Sequence, residues 1–223
     1  MRGERECEHK SFFLVITPTK SEYLKLRFKL LISIFSLLNI SAGIIGLIKF
    51  FNKIIDVLNT NNIPYMLSGS IAMGVYVVPR ATRDFDFVVE LKLEDIDQFI
   101  ENFKTGYYCN IDSVKDAVTK HSIFNIIDHE SGYKADFVVL KNEIYRQTEF
   151  NRKHKIEYLG KDIFIVSCED LLLSKLLWIQ TIQSNIQMED IKLLAEVKDL
   201  DWTYIKYWIS TLKISTFNLI KNV

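Results

Sequence analysis

The segment over residues 84–91, Asp-Phe-Asp-Phe-Val-Val-Glu-Leu, begins with alternating polar and apolar residues. A period of two is typical of a β-strand that has one edge toward water. Successive side chains of a strand point to opposite faces, so Asp84 and Asp86 are predicted to lie on the same face at neighbouring positions. The chain is therefore predicted to contain a sheet with two adjacent carboxylates on one face.

The remaining pattern predicts how that sheet is built and covered. An amphipathic helix is predicted over residues 44–58, where apolar residues recur at three-and-four spacing. Further strands are predicted over residues 65–67, 122–127, 133–140, 155–158 and 163–166, and further helices over residues 71–78 and 94–103. After Ser167 the pattern is helical to the end of the chain, and the helix begins with a capping-box variant. The predicted fold class is α+β, with a mixed β-sheet core and a helical C-terminal region.

Length and composition bound the domain organisation. The 223 residues, 48% of them hydrophobic, suffice for one large domain or two small ones with a sizeable core. Because no linker rich in Pro, Gly or Ser separates the sheet from the C-terminal helices, we expect one compact unit. We predict three regions, namely an apolar helical extension over residues 1–43, an α/β core over residues 44–166, and a helical region over residues 167–223 packed on that core.

An uncharged run from Leu30 to Ile48 lies in the first part of the chain. It is just long enough to cross a bilayer, but Ser, Asn and Gly residues interrupt it. Basic residues precede the run, so a membrane span would leave the N-terminus in the cytoplasm and everything after residue 50 outside. We favour a helical extension packed on the domain or on a partner, with membrane association as the alternative.

Charge and cysteine content limit the nucleic-acid contacts, the disulfide or zinc sites and the cellular compartment that can be expected. The 28 basic and 28 acidic residues give a net charge of zero, so any nucleic-acid contact requires a local basic patch. Cys7, Cys109 and Cys168 are odd in number and form no CxxC pair, so neither a disulfide framework nor a zinc site is predicted. A reducing, cytoplasmic location fits best.

The two predicted strand carboxylates, Asp84 and Asp86, suggest a cation site. Like charges at neighbouring positions repel, and a divalent cation between them relieves the repulsion; Mg²⁺ and Mn²⁺ prefer such oxygen ligands. Upstream, Gly69 and Ser70 join a strand to a helix, where a glycine lets a phosphate approach the backbone and free N–H groups favour its charge. Each feature alone is better explained as a Gly-Ser turn or an exposed acidic strand, whereas their combination indicates phosphoryl or nucleotidyl chemistry.

These residues resemble the signature of the DNA polymerase beta-like nucleotidyltransferase superfamily. That signature is an apolar residue, Gly, and Gly or Ser, then a spacer and Asp-apolar-Asp; the sequence Leu67-Ser-Gly-Ser70 followed by Asp84-Phe-Asp86 matches it. The superfamily carries a third carboxylate on a neighbouring strand, for which Asp136 stands in the expected order. Segments 65–73, 80–86 and 169–178 look like small bacterial nucleotidyltransferases related to toxin and abortive-infection enzymes.

The resemblance implies a role for each site residue. Catalysis and the binding of two Mg²⁺ or Mn²⁺ ions are assigned to Asp84, Asp86 and Asp136. Nucleotide binding is assigned to Gly69, Ser70, Arg83 and Lys175, with Asp190 and Arg80 as supporting residues. Arg80 and Arg83 either neutralise the triphosphate or pair with Asp84.

Lys175 can also be judged by its own surroundings, because its neighbours along the predicted helix are apolar. Its ammonium must therefore reach the solvent along those neighbours or meet an anion. Asp190 has a similar apolar setting, and its role is catalytic, metal-linked or a salt bridge to Lys175.

The implied activity is Mg²⁺-dependent transfer of a nucleoside monophosphate from an NTP such as ATP to a hydroxyl group. An RNA end, especially a tRNA 3′ end, a hydroxyl of a partner protein and a small antibiotic are all compatible acceptors. A toxin–antitoxin or phage-defence system would add a cognate antitoxin or toxin partner. The alternative is a non-catalytic antitoxin or regulator that binds a nucleotide or a partner. The aromatic and basic stretch over residues 145–155 is explained equally by RNA binding and by a solvated helix face.

Overall fold

The computed structural model describes residues 41–80, 82 and 84–221. In this part of the chain the helices are α1 (Ser41–Thr60), α2 (Gly69–Tyr76), α3 (Ile96–Glu101), α4 (Ile111–Lys120), α5 (Ile144–Asn151), α6 (Cys168–Ile179), α7 (Asn185–Ala195) and α8 (Trp202–Thr211). The strands are β1 (Tyr65–Ser68), β2 (Asp84–Val89), β3 (Tyr107–Tyr108), β4 (Ile123–Asp128), β5 (Lys134–Val139), β6 (His154–Tyr158) and β7 (Lys161–Ile165).

The strands form one mixed sheet in the order β3-β4-β5-β2-β1-β7-β6. Strand β2 lies at its centre, antiparallel to β1 and parallel to β5. The strands predicted over residues 122–127 and 133–140 form the antiparallel pair β4–β5, and those predicted over residues 155–158 and 163–166 form the antiparallel pair β6–β7. A mixed sheet with helices, followed by three C-terminal helices, confirms the α+β fold class.

The register of the central strands decides which side chains meet. Ser68 on β1 lies opposite Asp86 on β2, and Asp86 lies opposite Asp136 on β5. Asp84 lies opposite Lys134 by the same parallel pairing. Because side chains alternate along a strand, these four charged residues and Ser68 lie on one face of the sheet.

The opposite face of the central strands is held by aromatic packing. The ring centroids of Phe87 and Phe137, on adjacent strands, are 5.5 Å apart, and those of Phe124 and Phe137 are 4.9 Å apart and nearly parallel. Helix α1 covers this face, where Phe51 packs on Phe85 at 5.3 Å between centroids. Each buried phenylalanine contributes about 2–3 kcal/mol. This packing fixes the strands that carry the carboxylates.

The C-terminal helices are tied to the sheet by buried polar contacts. The side chain of Ser167 caps α6 by accepting a hydrogen bond from the Asp170 N–H at 3.1 Å, which confirms the predicted helix start. The fully buried Asp170 carboxylate accepts hydrogen bonds from Arg152 at 2.9 Å and from Tyr204 on α8 at 2.6 Å. Asp170 thereby joins the start of α6 to α8 and to the segment before β6.

Helix α5 corrects the interpretation of the stretch over residues 145–155. Tyr145 and Phe150 are buried in the core, so these rings cannot stack on RNA bases. Glu149 is also buried and pairs with Arg146 at 2.8 Å, so the helix has one buried face, while the basic residues Arg152, His154 and Lys155 that follow it are exposed. Two elements, α4 and β3, were not predicted at all.

Most of the extension predicted over residues 1–43 lies on residues 1–40, outside the described residues, and residues 41–43 belong to α1. From Ala42 onward the chain forms one compact unit. Among the helices described here, none combines the length and apolar character needed to cross a membrane. The division at residues 43 and 166 stays a prediction.

Candidate active site

The junction between β1 and α2 requires a glycine for two reasons. Gly69 has a φ of +62°, in the left-handed region that residues with a side chain rarely adopt. A Cβ at this position would lie 2.7 Å from the Cβ of Asp86 and closer still to the carboxylate. Gly69 therefore allows the carboxylate of the central strand to approach the first turn of α2.

Asp86 is held by that turn. Burial raises the pKa of Asp86, and the neighbouring charge of Asp136 raises it further. The backbone N–H of Ser70, which donates to the carboxylate, and the charge of Lys175 act in the opposite direction. The ionised carboxylate is thus only partly compensated by the protein, which is the electrostatic setting in which a bound cation is stabilising.

Asp84 and Asp136 complete a set of three carboxylates on the same face as Asp86. Their side chains are 49% and 24% exposed, so a ligand can reach them from solvent. Their oxygen chemistry suits Mg²⁺ or Mn²⁺. As arranged within residues 41–80, 82 and 84–221, however, no group of three His, Cys, Asp or Glu side chains is positioned to hold a metal ion.

A lysine lies among these carboxylates. The Nζ atom of Lys134 is 2.8 Å from Oδ2 of Asp136 and 3.9 Å from Oδ1 of Asp84. The hydrogen bond to Asp136 raises the pKa of Lys134, which keeps its ammonium charged. The carboxylate set therefore already accommodates one positive charge.

A second polar cluster lies on the other side of Ser70. Asp190 on α7 is buried and accepts hydrogen bonds from Nε and Nη2 of Arg80, each at 3.2 Å, and from Nζ of Lys175 at 2.8 Å. Lys175 is also buried and donates to Gln187 at 2.9 Å. Of the three roles considered for Asp190, the structure contains the salt bridge to Lys175. The Lys175 ammonium therefore meets an anion, the Asp190 carboxylate.

Ser70 connects the two clusters. Its N–H donates to Asp86, and its Oγ accepts a hydrogen bond from Arg80 at 2.5 Å. Arg80 thus pairs with Asp190 and Ser70, and the predicted pairing with Asp84 is not observed for it. The predicted site residues lie together in this region except Arg83, which is outside the described residues.

Lys134 is the residue that the sequence reasoning missed. A signal was present, because Lys134 stands two residues before Asp136 in a predicted strand and therefore on the same face.

The Lys175–Asp190 pair leads to a stability prediction. Asp190→Asn is expected to lower the free energy of unfolding by about 3 kcal/mol, because it leaves the buried Lys175 ammonium without its charge partner. Lys175→Met is expected to lower it by only about 1 kcal/mol, since Arg80 still pairs with Asp190. Urea denaturation measures both. Equal losses from the two substitutions would show that Arg80 does not compensate the Asp190 charge.

Comparisons with known proteins identify distant structural similarity only. No family model and no curated protein sequence matches the chain. The structure of ANT(2″)-Ia in complex with adenylyl-2″-tobramycin is 12% identical, with a TM-score of 0.49, and the match covers 75% of this chain and 97% of that chain. For the lincomycin-bound lincosamide antibiotic adenylyltransferase LnuA the identity is 17% and the TM-score 0.44, covering 67% of this chain and 97% of that chain.

An antigenic nucleotidyltransferase-like protein from Paracoccidioides brasiliensis is also similar. It is 15% identical, with a TM-score of 0.46 over 74% of this chain and 86% of that chain. All these TM-scores lie below 0.5. The function of the chain must therefore be argued from its own site residues.

Proposed function

We propose that this chain is a Mg²⁺- or Mn²⁺-dependent nucleotidyltransferase, which transfers a nucleoside monophosphate from an NTP to an acceptor hydroxyl and releases pyrophosphate. The observation that carries the proposal is the register of the central strands, which brings Asp84, Asp86 and Asp136 onto one face of the sheet. The strand-to-helix turn at Gly69 lies beside these carboxylates and contacts the Asp86 side chain closely.

The three carboxylates would hold the divalent cations. When bound, such ions neutralise phosphate charge and lower the pKa of a coordinated hydroxyl. Asp136 is the group proposed to accept the proton of the acceptor hydroxyl, through the partly exposed carboxylate that Lys134 contacts. Asp86, held by the Ser70 N–H, fixes the position of the set relative to α2.

The phosphate side of the site is assigned to the α2 turn and the basic residues next to it. Gly69 and Ser70 are proposed to bind the terminal phosphates at the first turn of α2, and the side chain of Arg80 is 36% exposed. Lys175 is proposed to act with Arg80 as a positive pair balanced by Asp190, so that the triphosphate meets a fixed cationic group. Arg83, which precedes Asp84 in sequence, is proposed as a further phosphate ligand.

Acceptor and cellular setting remain predictions from the sequence. An RNA end, a hydroxyl of a partner protein and a small antibiotic are the candidate acceptors. Four further points are also predictions from the sequence. They are the toxin–antitoxin or phage-defence role, a cognate antitoxin or toxin partner, ATP as the donor and a cytoplasmic location.

One observation favours a second candidate function, a non-catalytic module that binds a nucleotide or a partner. Lys134 pairs with Asp136 in the way expected of a carboxylate site that no longer needs a metal ion. Calorimetry with ATP, CTP, GTP and UTP in Mg²⁺ distinguishes the two functions when pyrophosphate is assayed in the same samples. Tight NTP binding without pyrophosphate release across many acceptors would favour the binding module.

The experiment that tests the proposed function directly is product analysis. The protein is incubated with each NTP, Mg²⁺, total tRNA, a cell lysate and a panel of hydroxyl-bearing antibiotics, and the RNA, protein and small-molecule fractions are analysed by mass spectrometry. We expect one class of acceptor to gain the mass of a nucleoside monophosphate, and EDTA to prevent it. An unchanged mass spectrum in every fraction would contradict the proposed transfer.

A further inference from the structure

Lys134 occupies a place that the backbone dictates. It is the first residue of β5, and the parallel pairing sets it opposite Asp84, while Asp136 follows two residues later on the same face. Its ammonium contacts Asp136 at 2.8 Å and is 3.9 Å from Asp84. Because the register of β5 cannot slip by one residue without turning the buried Phe137 outward, the strand pairing places the lysine beside these carboxylates.

This contact differs from the surface ion pairs of the same chain. Lys120, for example, pairs one turn away with the single carboxylate of Asp116, and both side chains are more than half exposed. Such a pair contributes little to stability. Lys134 is 35% exposed and faces the carboxylate set, and the charges of Asp136, Asp84 and Asp86 all raise its pKa.

The repulsion among the carboxylates gives the positive charge of Lys134 a role in the cation-free protein. Asp86 is partly buried beside Asp136, and the charge of Asp136 disfavours the ionised form of Asp86. Without a divalent cation, the ammonium of Lys134 is the positive charge that directly contacts Asp136 among the described residues. A divalent cation held by these residues would compete with this ammonium for the carboxylate of Asp136.

We propose that Lys134 is an internal counter-ion, which neutralises the carboxylate set in the cation-free protein and must leave Asp136 when a divalent cation binds. The inference rests on the proposed function, because it takes Asp84, Asp86 and Asp136 as the cation ligands. It has two consequences. Lys134 stabilises the cation-free fold, and it weakens the apparent affinity for the cation, since only the fraction of molecules with Asp136 released can bind.

The test is calorimetric titration of Mn²⁺ alone into three proteins, the wild type, Lys134→Met and Lys134→Arg. Lys134→Met is expected to bind Mn²⁺ about twofold to fivefold more tightly, the range expected for removal of one partly exposed ion pair. Lys134→Arg keeps a cation that pairs well with a carboxylate, so wild-type affinity is expected. Lys120→Met is the matched control for loss of one positive charge, and its Mn²⁺ affinity should not change.

Thermal denaturation gives a second measurement that does not depend on catalysis. In EDTA, Lys134→Met should melt at a lower temperature than the wild type and the Lys120→Met control. Excess Mn²⁺ should raise its melting temperature by more than that of the wild type, because bound ligand stabilises the folded state according to its affinity.

The possible results separate this inference from the proposed function. If the wild type and Lys134→Met bind Mn²⁺ equally, Lys134 is not a competing counter-ion, although the cation site stands. If neither protein binds Mn²⁺, the cation site and the inference are both wrong. Tighter binding by Lys134→Met, with wild-type affinity in Lys134→Arg, is the result expected of an internal counter-ion.

Discussion

Asp86→Asn is expected to reduce nucleotidyl transfer by about a thousandfold or more, while leaving the protein folded. The amide has the size of the carboxylate and keeps an oxygen that can accept the hydrogen bond from the Ser70 N–H. It removes a buried charge and the repulsion with Asp136, so the free energy of unfolding should stay equal or rise. Pyrophosphate release and urea denaturation measure the two effects.

The control for this substitution is Asp97→Asn, because Asp97 is a highly exposed carboxylate on α3. Its transfer activity should equal that of the wild type. Two results would contradict the role of Asp86. One is transfer within about tenfold of the wild-type rate. The other is loss of folding in proportion to the loss of activity, which would make the carboxylate structural.

Gly69→Ala is expected to lower the free energy of unfolding by at least about 4 kcal/mol. The left-handed backbone at φ +62° disfavours any side chain, and the new Cβ would overlap the Asp86 side chain. Relieving the overlap requires the turn to move away from β2, which breaks the hydrogen bond from Ser70 to Asp86. Transfer should therefore fall along with stability.

Gly132→Ala isolates the cause of that loss. Gly132 has a φ of +69°, and a Cβ there would meet nothing within 4 Å among the described residues. Gly132→Ala should lower the free energy of unfolding only by the cost of a side chain on a left-handed backbone, about 1–2 kcal/mol. Urea denaturation of the two variants gives the comparison. Equal losses at both glycines would show that close approach to Asp86 is not what requires glycine at position 69.

Much of the sheet could be predicted because the alternation of polar and apolar residues along a strand is visible within a short stretch of sequence. Alternation placed Asp84 and Asp86 on one face of β2, and the Gly-Ser junction predicted the strand-to-helix turn that the structure has at Gly69. The cap of α6 at Ser167 was also readable, since a capping contact joins residues three positions apart.

The contacts that the sequence did not reveal depend on strand register or on distant segments. Lys134 reaches Asp84 only because β5 pairs in parallel with β2, and no local pattern encodes that pairing. Arg80 finds Asp190 across 110 residues of chain, so its partner could not be inferred from spacing. Strand β3 has two residues, too few to show a period. Helix α4 did carry a signal, because its three buried residues, Val114, Ala117 and Val118, follow helical spacing.

The most direct test of the central claim follows the two ends of the triphosphate separately. The protein is incubated with Mg²⁺, an acceptor mixture of total tRNA, cell lysate and hydroxyl-bearing antibiotics, and an NTP that is labelled at either the α- or the γ-phosphate. We expect the α-label to become attached to the acceptor and the γ-label to be released as pyrophosphate. With Asp86→Asn, neither attachment nor release is expected. Transfer of the γ-label to an acceptor, or retention of both labels in NTP that is bound but unchanged, would contradict the proposed transfer.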